Sequence, residues 1–196
     1  MTAVDDRPLT ADVVGFFENL EVPEGYKAEL LRGEIVMMAA PDLVHNDIVE
    51  AVSDQFPRAL WRRLQTQAVA VAQESSEPLP DLVLVERGVG PRAGQVMPSE
   101  MVSMVVEVVS RTSVERDYGV KRSIYAAGRV PHYLIIDPVM AHCVLLTEPV
   151  GTGDEADYQL QRVSKFGAPV PLEALGTDLD TTEFGVYSGA RPHRWP

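Results

Sequence analysis

Four short, nearly uninterrupted apolar runs constrain this chain more than anything else in it: Leu82–Val85 (LVLV), Met101–Val109 (MVSMVVEVV), His132–Ile136 (HYLII) and Ala141–Thr147 (AHCVLLT). Such runs are what a central strand covered on both faces requires. Helical patterns surround them. Residues 9–20 (LTADVVGFFENL) and 114–127 (VERDYGVKRSIYAA) carry apolar groups at helical spacing, the second ended by Gly128 and Pro131. From Leu43 to Leu64 the apolar positions 44, 48, 49, 52, 56, 60 and 64 step mostly by three and four, which predicts one amphipathic helix kinked or split at Pro57. Pro41-Asp42 reads as its initiation. The segment YKAELLRGEIVMM predicts a hairpin turning at Arg32-Gly33, with Gly33 supplying a positive φ. Gln67–Gln73 alternates like a strand, residues 87–99 read as a Gly/Pro-rich loop, and Tyr158–Val163 is a weaker strand. The final RPHRWP is expected to fray. The order helix, hairpin, helix, strands, helix, strands predicts a mixed α/β chain with a central sheet flanked by helices. The runs leave open whether that sheet is parallel or mixed.

The expected organisation is a single domain over residues 1–196, with 1–25 an N-terminal helical extension and 167–196 a C-terminal tail. No run reaches the ~18 apolar residues of a membrane span. MTAVDDRPLT lacks the basic and apolar regions of a secretory signal, so a cytoplasmic location is expected. Cys143 is the single cysteine, which excludes an internal disulfide and a Cys-based zinc site. With 17 Lys+Arg against 29 Asp+Glu the net charge is -12. A nucleic-acid partner therefore demands a local basic face, or metal ions to supply the positive potential.

Glu107 is the most informative residue. It lies inside Val105-Val106-Glu107-Val108-Val109, where an ionised carboxylate is costly unless paired, hydrogen-bonded or on a metal. A glutamate at the strand edge, or one salt-bridged to an arginine, is the plain reading. Asp81 opens the LVLV strand after Pro80; alone it is an ordinary turn aspartate. The 26 positions between 81 and 107 leave room for a strand, a loop and a neighbouring strand. Two acidic groups on adjacent strands can share Mg2+ or Mn2+. Asp117, Lys121 and Tyr125 step by four on the helix 114–127 and share a face. Lys121 then reads either as half of a surface pair with Asp117 or as an ammonium reaching back over the sheet. Glu34 starts the second hairpin strand, and His45 shares a helix face with Val49 and Val52. Each has an unremarkable reading as well: a carboxylate beside a turn, and a structural histidine.

Three pieces of the sequence, AELLRGEIVMMAAP with His45 following, LPDLVLVE, and MVVEVVSRTSVERDYGVKRSIYAAGRVPHYLIIDP, resemble the Uma2 family (DUF820) of restriction-endonuclease-like proteins in the PD-(D/E)XK nuclease superfamily. The resemblance runs from about 26 to 148. It implies a restriction-endonuclease-like core, an α/β (α+β) fold with a central mixed sheet flanked by helices. It implies a Mg2+- or Mn2+-dependent endonuclease acting on DNA, as a homodimer, with Asp81 and Glu107 as metal ligands and Lys121 completing the site. Glu34 and His45 take the positions of the family's hairpin Glu and helix His. The usual E-x-K lysine position holds Val109, so the lysine role falls to Lys121 on the following helix. The alternative is a catalytically inactive scaffold or partner-binding protein on the same fold.

Overall fold

The computed structural model describes residues 9–195; positions 1–8 of the expected N-terminal extension lie outside the described residues. In chain order the elements are α1 (Leu9–Glu18), β1 (Tyr26–Leu31), β2 (Glu34–Ala39), α2 (Leu43–Asp54), β3 (Trp61–Gln65), β4 (Ala68–Ala70), β5 (Leu82–Glu86), β6 (Val96–Pro98) and β7 (Met104–Val108). A π-helical turn (Arg116–Val120) then leads into α3 (Lys121–Ala127). Last come β8 (His132–Asp137), β9 (His142–Val150), β10 (Asp157–Lys165), β11 (Val170–Leu172) and β12 (Thr177–Leu179).

The four apolar runs form the middle of a six-stranded sheet in the order β10-β9-β8-β7-β5-β3. It is mixed: β7 and β8 are parallel, joined across α3, and the other neighbours are antiparallel. Strand alternation sorts the sheet into two cores. Val83, Val85, Val105, Val109, Tyr133 and Ile135 pack with Ile124 and Tyr125 of α3 on one face. Leu82, Leu84, Met104, Val106, Leu134 and Ile136 pack with Ile48, Val49 and Val52 of α2 on the other. Glu107 shares its parity with Val105 and Val109, so it belongs to the α3 face.

The β1–β2 hairpin turns at Arg32 (φ 51°) and Gly33 (φ 77°), as expected. Both central residues are left-handed, the geometry that matches strand twist in a two-residue turn. Asp42 caps α2, accepting the His45 N–H at 3.0 Å.

The expected helix over 43–64 is corrected: α2 stops at Asp54, before Pro57, and Trp61–Gln65 is instead the edge strand, paired with β5. The helical spacing persisted past Pro57 only because Leu60 and Leu64 happen to continue it. β4 is shorter than expected and pairs in parallel with β6, which lies within the region read as loop. The helix over 114–127 is π-helical in its first part, with the Lys121 N–H bonded to Arg116 O five residues back. The tail is corrected as well. Residues 170–179 make the β11–β12 hairpin over the second core, and the last residues are pinned to the body of the protein. No helix among the described residues is long and apolar enough to cross a membrane.

Candidate active site

Register brings the two strand carboxylates together. Leu82 pairs with Val106, so Asp81, one residue before β5, stands opposite Glu107 on β7. The Asp81 N–H donates to Val106 O at 3.1 Å, which carries the ladder one step past the strand. Directly opposed residues send their side chains to the same face. Asp81 and Glu107 accordingly line one cleft of about 190 Å3, bordered also by Lys27, His45, Arg116 and Lys121.

Each carboxylate is oriented by its own partners. Asp81 Oδ2 accepts from the Val108 N–H and lies on His45 Nε2, both at 2.9 Å. Burial pushes Asp81 up, but the hydrogen bond and charge of His45, the Val108 N–H and the charge of Lys121 outweigh it and hold Asp81 below the usual carboxylate range. Glu107 Oε1 accepts from Lys121 Nζ and from the Tyr125 hydroxyl, both at 2.8 Å. Burial drives Glu107 well above its ordinary value despite Lys121, helped by the neighbouring Asp81, Asp117 and Glu29. Burial on Glu107, and hydrogen bonds with positive charge on Asp81, thus set two opposed carboxylates on opposite sides of their ordinary values, a frequent mark of a functional centre.

Lys121 is no surface residue. It is 2% exposed, and its Nζ lies 2.6 Å from Glu29 Oε1, 2.8 Å from Glu107 Oε1 and 3.9 Å from Asp117 Oδ1. Burial would lower Lys121, but Glu107, Glu29 and Asp117 more than reverse this and raise it, so the ammonium keeps its proton. Asp117 is pushed up to about 6, chiefly by burial, against the pull of Lys121, the Ser113 hydroxyl and Arg116. The shared face of Asp117, Lys121 and Tyr125 therefore points inward. Val109, at the E-x-K lysine position, is fully buried in the apolar core, and the ammonium arrives from α3 instead.

Of the five expected site residues, Asp81, Glu107, Lys121 and His45 converge here. Glu34 does not: it stands opposite Leu31 beside the hairpin turn and is exposed. The hairpin contributes Glu29, fully buried, whose Oε1 also accepts the Leu79 N–H at 2.8 Å. Its signal was present in the sequence. In YKAELL, Glu29 stands beside two leucines, both buried here, where a carboxylate calls for an explanation as much as Glu107 does. Glu29 Oε2 and Arg116 Nε, 3.8 Å apart, are both buried without a hydrogen-bond partner among the described residues.

Each of the two opposed strand carboxylates also keeps one oxygen free of hydrogen bonds from the described residues. Asp81 Oδ1 has only the Lys27 ammonium at 3.9 Å, and Glu107 Oε2 accepts no hydrogen bond from the described residues. No three His, Cys, Asp or Glu side chains among the described residues form a metal shell by themselves. One or two carboxylates with several retained waters is nonetheless the ordinary donor set of Mg2+. The residues fit a hard divalent cation that fills its coordination from water.

The family model of Uma2, described as "Putative restriction endonuclease", matches residues 15–182. Among solved structures, one described as "a putative nuclease belonging to DUF820", from Anabaena variabilis, is similar to the chain with a TM-score of 0.62 at 15% identity, over 87% of this chain and 96% of that one. At that identity the likeness shows a shared fold. Curated proteins offer no match.

Proposed function

Because the chain belongs to the Uma2 family of restriction-endonuclease-like proteins, we propose that it is a Mg2+- or Mn2+-dependent endonuclease hydrolysing phosphodiester bonds in DNA. The single observation that carries this reading is the opposed pair Asp81 and Glu107 at the floor of one cleft, with the Lys121 ammonium behind them. Asp81 and Glu107 would hold the cation. When bound, the ion polarises the scissile phosphate and lowers the pKa of its water.

The chain's own groups do the rest. His45 and the Val108 N–H fix Asp81 and keep it ionised. Lys121 and Tyr125 fix Glu107. A lysine held between carboxylates stays cationic, so Lys121 acts by charge and orientation and not as a base. Lys27 and Arg116 line the cleft and offer positive charge to the phosphate. Glu29 is a positioning residue acting through Lys121.

Calorimetric titration with Mn2+ tests the reading. Wild type is expected to bind, and Asp81→Asn to bind at least ~10-fold more weakly. An absence of Mn2+ binding would favour the inactive scaffold. Glu29 and Glu34 give a second test on the same hairpin. Glu29→Gln should lower turnover by ~10–100-fold, the usual cost of losing a partner that orients a metal-site residue. Glu34→Gln should leave turnover within ~2-fold, as for an exposed side chain. The reverse ranking in a plasmid-nicking assay would restore Glu34 to the site.

A further inference from the structure

The cleft is lined by four carboxylates, Asp42, Asp81, Glu107 and Asp117, and the chain carries a net charge of -12, so a polyanion needs a positive surface beside it. Several arginines are already committed. Arg63 is tied to Ser53 O and Asp54, Arg122 to Asp157, and Arg62 to Val89 O and Pro91 O. Arg111, Arg191 and Arg194 differ: all are exposed, and none pairs with a carboxylate among the described residues. Arg111 and Arg191 border one hollow, Arg111 and Arg194 the next, and His193 lines both. Among the described residues Glu115 is the only acidic side chain lining either.

The final stretch of chain, beyond the residues matched by the family model, places two of these arginines. The Tyr187 N–H donates to Pro138 O at 3.0 Å, and its hydroxyl donates to Asp42 Oδ1 at 3.1 Å. His193 Nε2 lies 2.6 Å from Asp137 Oδ2. Trp195 stacks on Tyr118, centroids 6.2 Å apart and planes 17° from parallel. Asp137 is fully buried and Tyr118 nearly so, which gives the strap interior anchors. The Arg111 guanidinium sits 5.4 Å over the Tyr187 ring. Tyr187 lines the cleft, as do Ser110 and Thr112 on either side of Arg111. The basic edge and the cleft are therefore contiguous.

We propose that the strap of residues 187–195, together with Arg111, is the phosphate-binding rim that leads a nucleic-acid strand into the cleft. This rests on the nuclease reading. Exposed guanidinium groups without competing carboxylates are suited to phosphate oxygens, which they engage in a bidentate fork.

The test is a double variant, R191Q/R194Q, which leaves the anchoring His193 and Trp195 in place. Binding of a labelled mixed-sequence duplex, and separately of its single strand, is measured against salt in Ca2+. Each lost phosphate contact should flatten the slope of log K against log[salt] by ~0.9 for duplex and ~0.7 for single strand. The duplex slope should thus fall by about 2, with affinity at ~0.1 M salt reduced by ~10-fold or more. A larger loss on the duplex, or on the strand, identifies which form the rim grips. R87Q/R92Q is the matched control. It removes the same charge at the far end of β5 from Asp81, and it should change binding much less. Equal effects of the two variants, or wild-type affinity in R191Q/R194Q, would overturn the rim while Mn2+ binding at the cleft left the nuclease reading intact. A wild type that binds neither Mn2+ nor nucleic acid would overturn that reading, and the rim with it.

Discussion

Asp81→Asn and Glu107→Gln are each expected to cut metal-dependent phosphodiester cleavage by ~1,000-fold or more, since a bound cation contributes several kcal/mol of transition-state stabilisation. The amides keep the size of the acids, and in Asp81→Asn the remaining side-chain oxygen can still accept the Val108 N–H. The far-ultraviolet circular dichroism should therefore be unchanged. The stability effect of Glu107→Gln runs the other way. Glu107 is held well above its ordinary range by burial and by three neighbouring carboxylates. Its ionised form is thus less favourable in the folded protein than in the unfolded chain, and neutralising it should raise the melting temperature at pH 7. Loss of activity with a gain in stability is the signature of a group kept for chemistry at the expense of the fold. Mn2+ should raise the melting temperature of wild type, and of these variants much less, because only a ligand bound to the native state stabilises it. Wild-type cleavage by either variant would move the centre elsewhere.

Lys121→Met is expected to cost about 3–5 kcal/mol at pH 7, the range found when one member of a buried ion pair is removed. The ammonium is the shared countercharge of Glu29 and Glu107, at 2.6 and 2.8 Å. Without it both carboxylates face each other in a water-poor interior. The pH dependence has a definite sign. Glu107 and Asp117 already bind protons more tightly folded than unfolded, Asp117 with a value near 6. Removing Lys121 raises them further, since its charge was pulling both down. Protonation relieves the repulsion, so the deficit should shrink as pH falls from about 7 to 5. Calorimetric melting at both pH values measures this, and Glu29→Gln added to Lys121→Met should recover part of the loss. A Lys121→Met protein as stable as wild type at both pH values would mean that the ammonium compensates nothing.

The centre was legible where strand physics was legible. A carboxylate amid valines and an aspartate at a strand entrance announced Asp81 and Glu107, and helix periodicity put Lys121 with Asp117 and Tyr125. What periodicity does not carry is register and direction. On the hairpin the expected residue is Glu34, and it is the docking of β1 against residues 77–79 that brings Glu29 to Lys121 instead. The helix predicted through Pro57 failed because the edge strand has too few contrasting residues to break an accidental three-four spacing. The C-terminal segment looked like loose chain, and by local rules it is. Its anchors, His193 on Asp137 and Trp195 on Tyr118, join positions more than 50 apart, and no local pattern encodes them.

The π-helical turn gives the centre an unusual tolerance. Asp81 and Glu107 are set by a ladder whose ruler is one residue per rung, while Lys121 is set by angular phase along a winding backbone. A turn closed five residues back holds one residue more than the α-helical turn it replaces. Removing a single residue from Arg116–Val120 would close it to ordinary winding and leave Lys121 near its present phase. The spacing between the two halves of the centre can thus lose one position with the cation still in place and the sheet itself untouched.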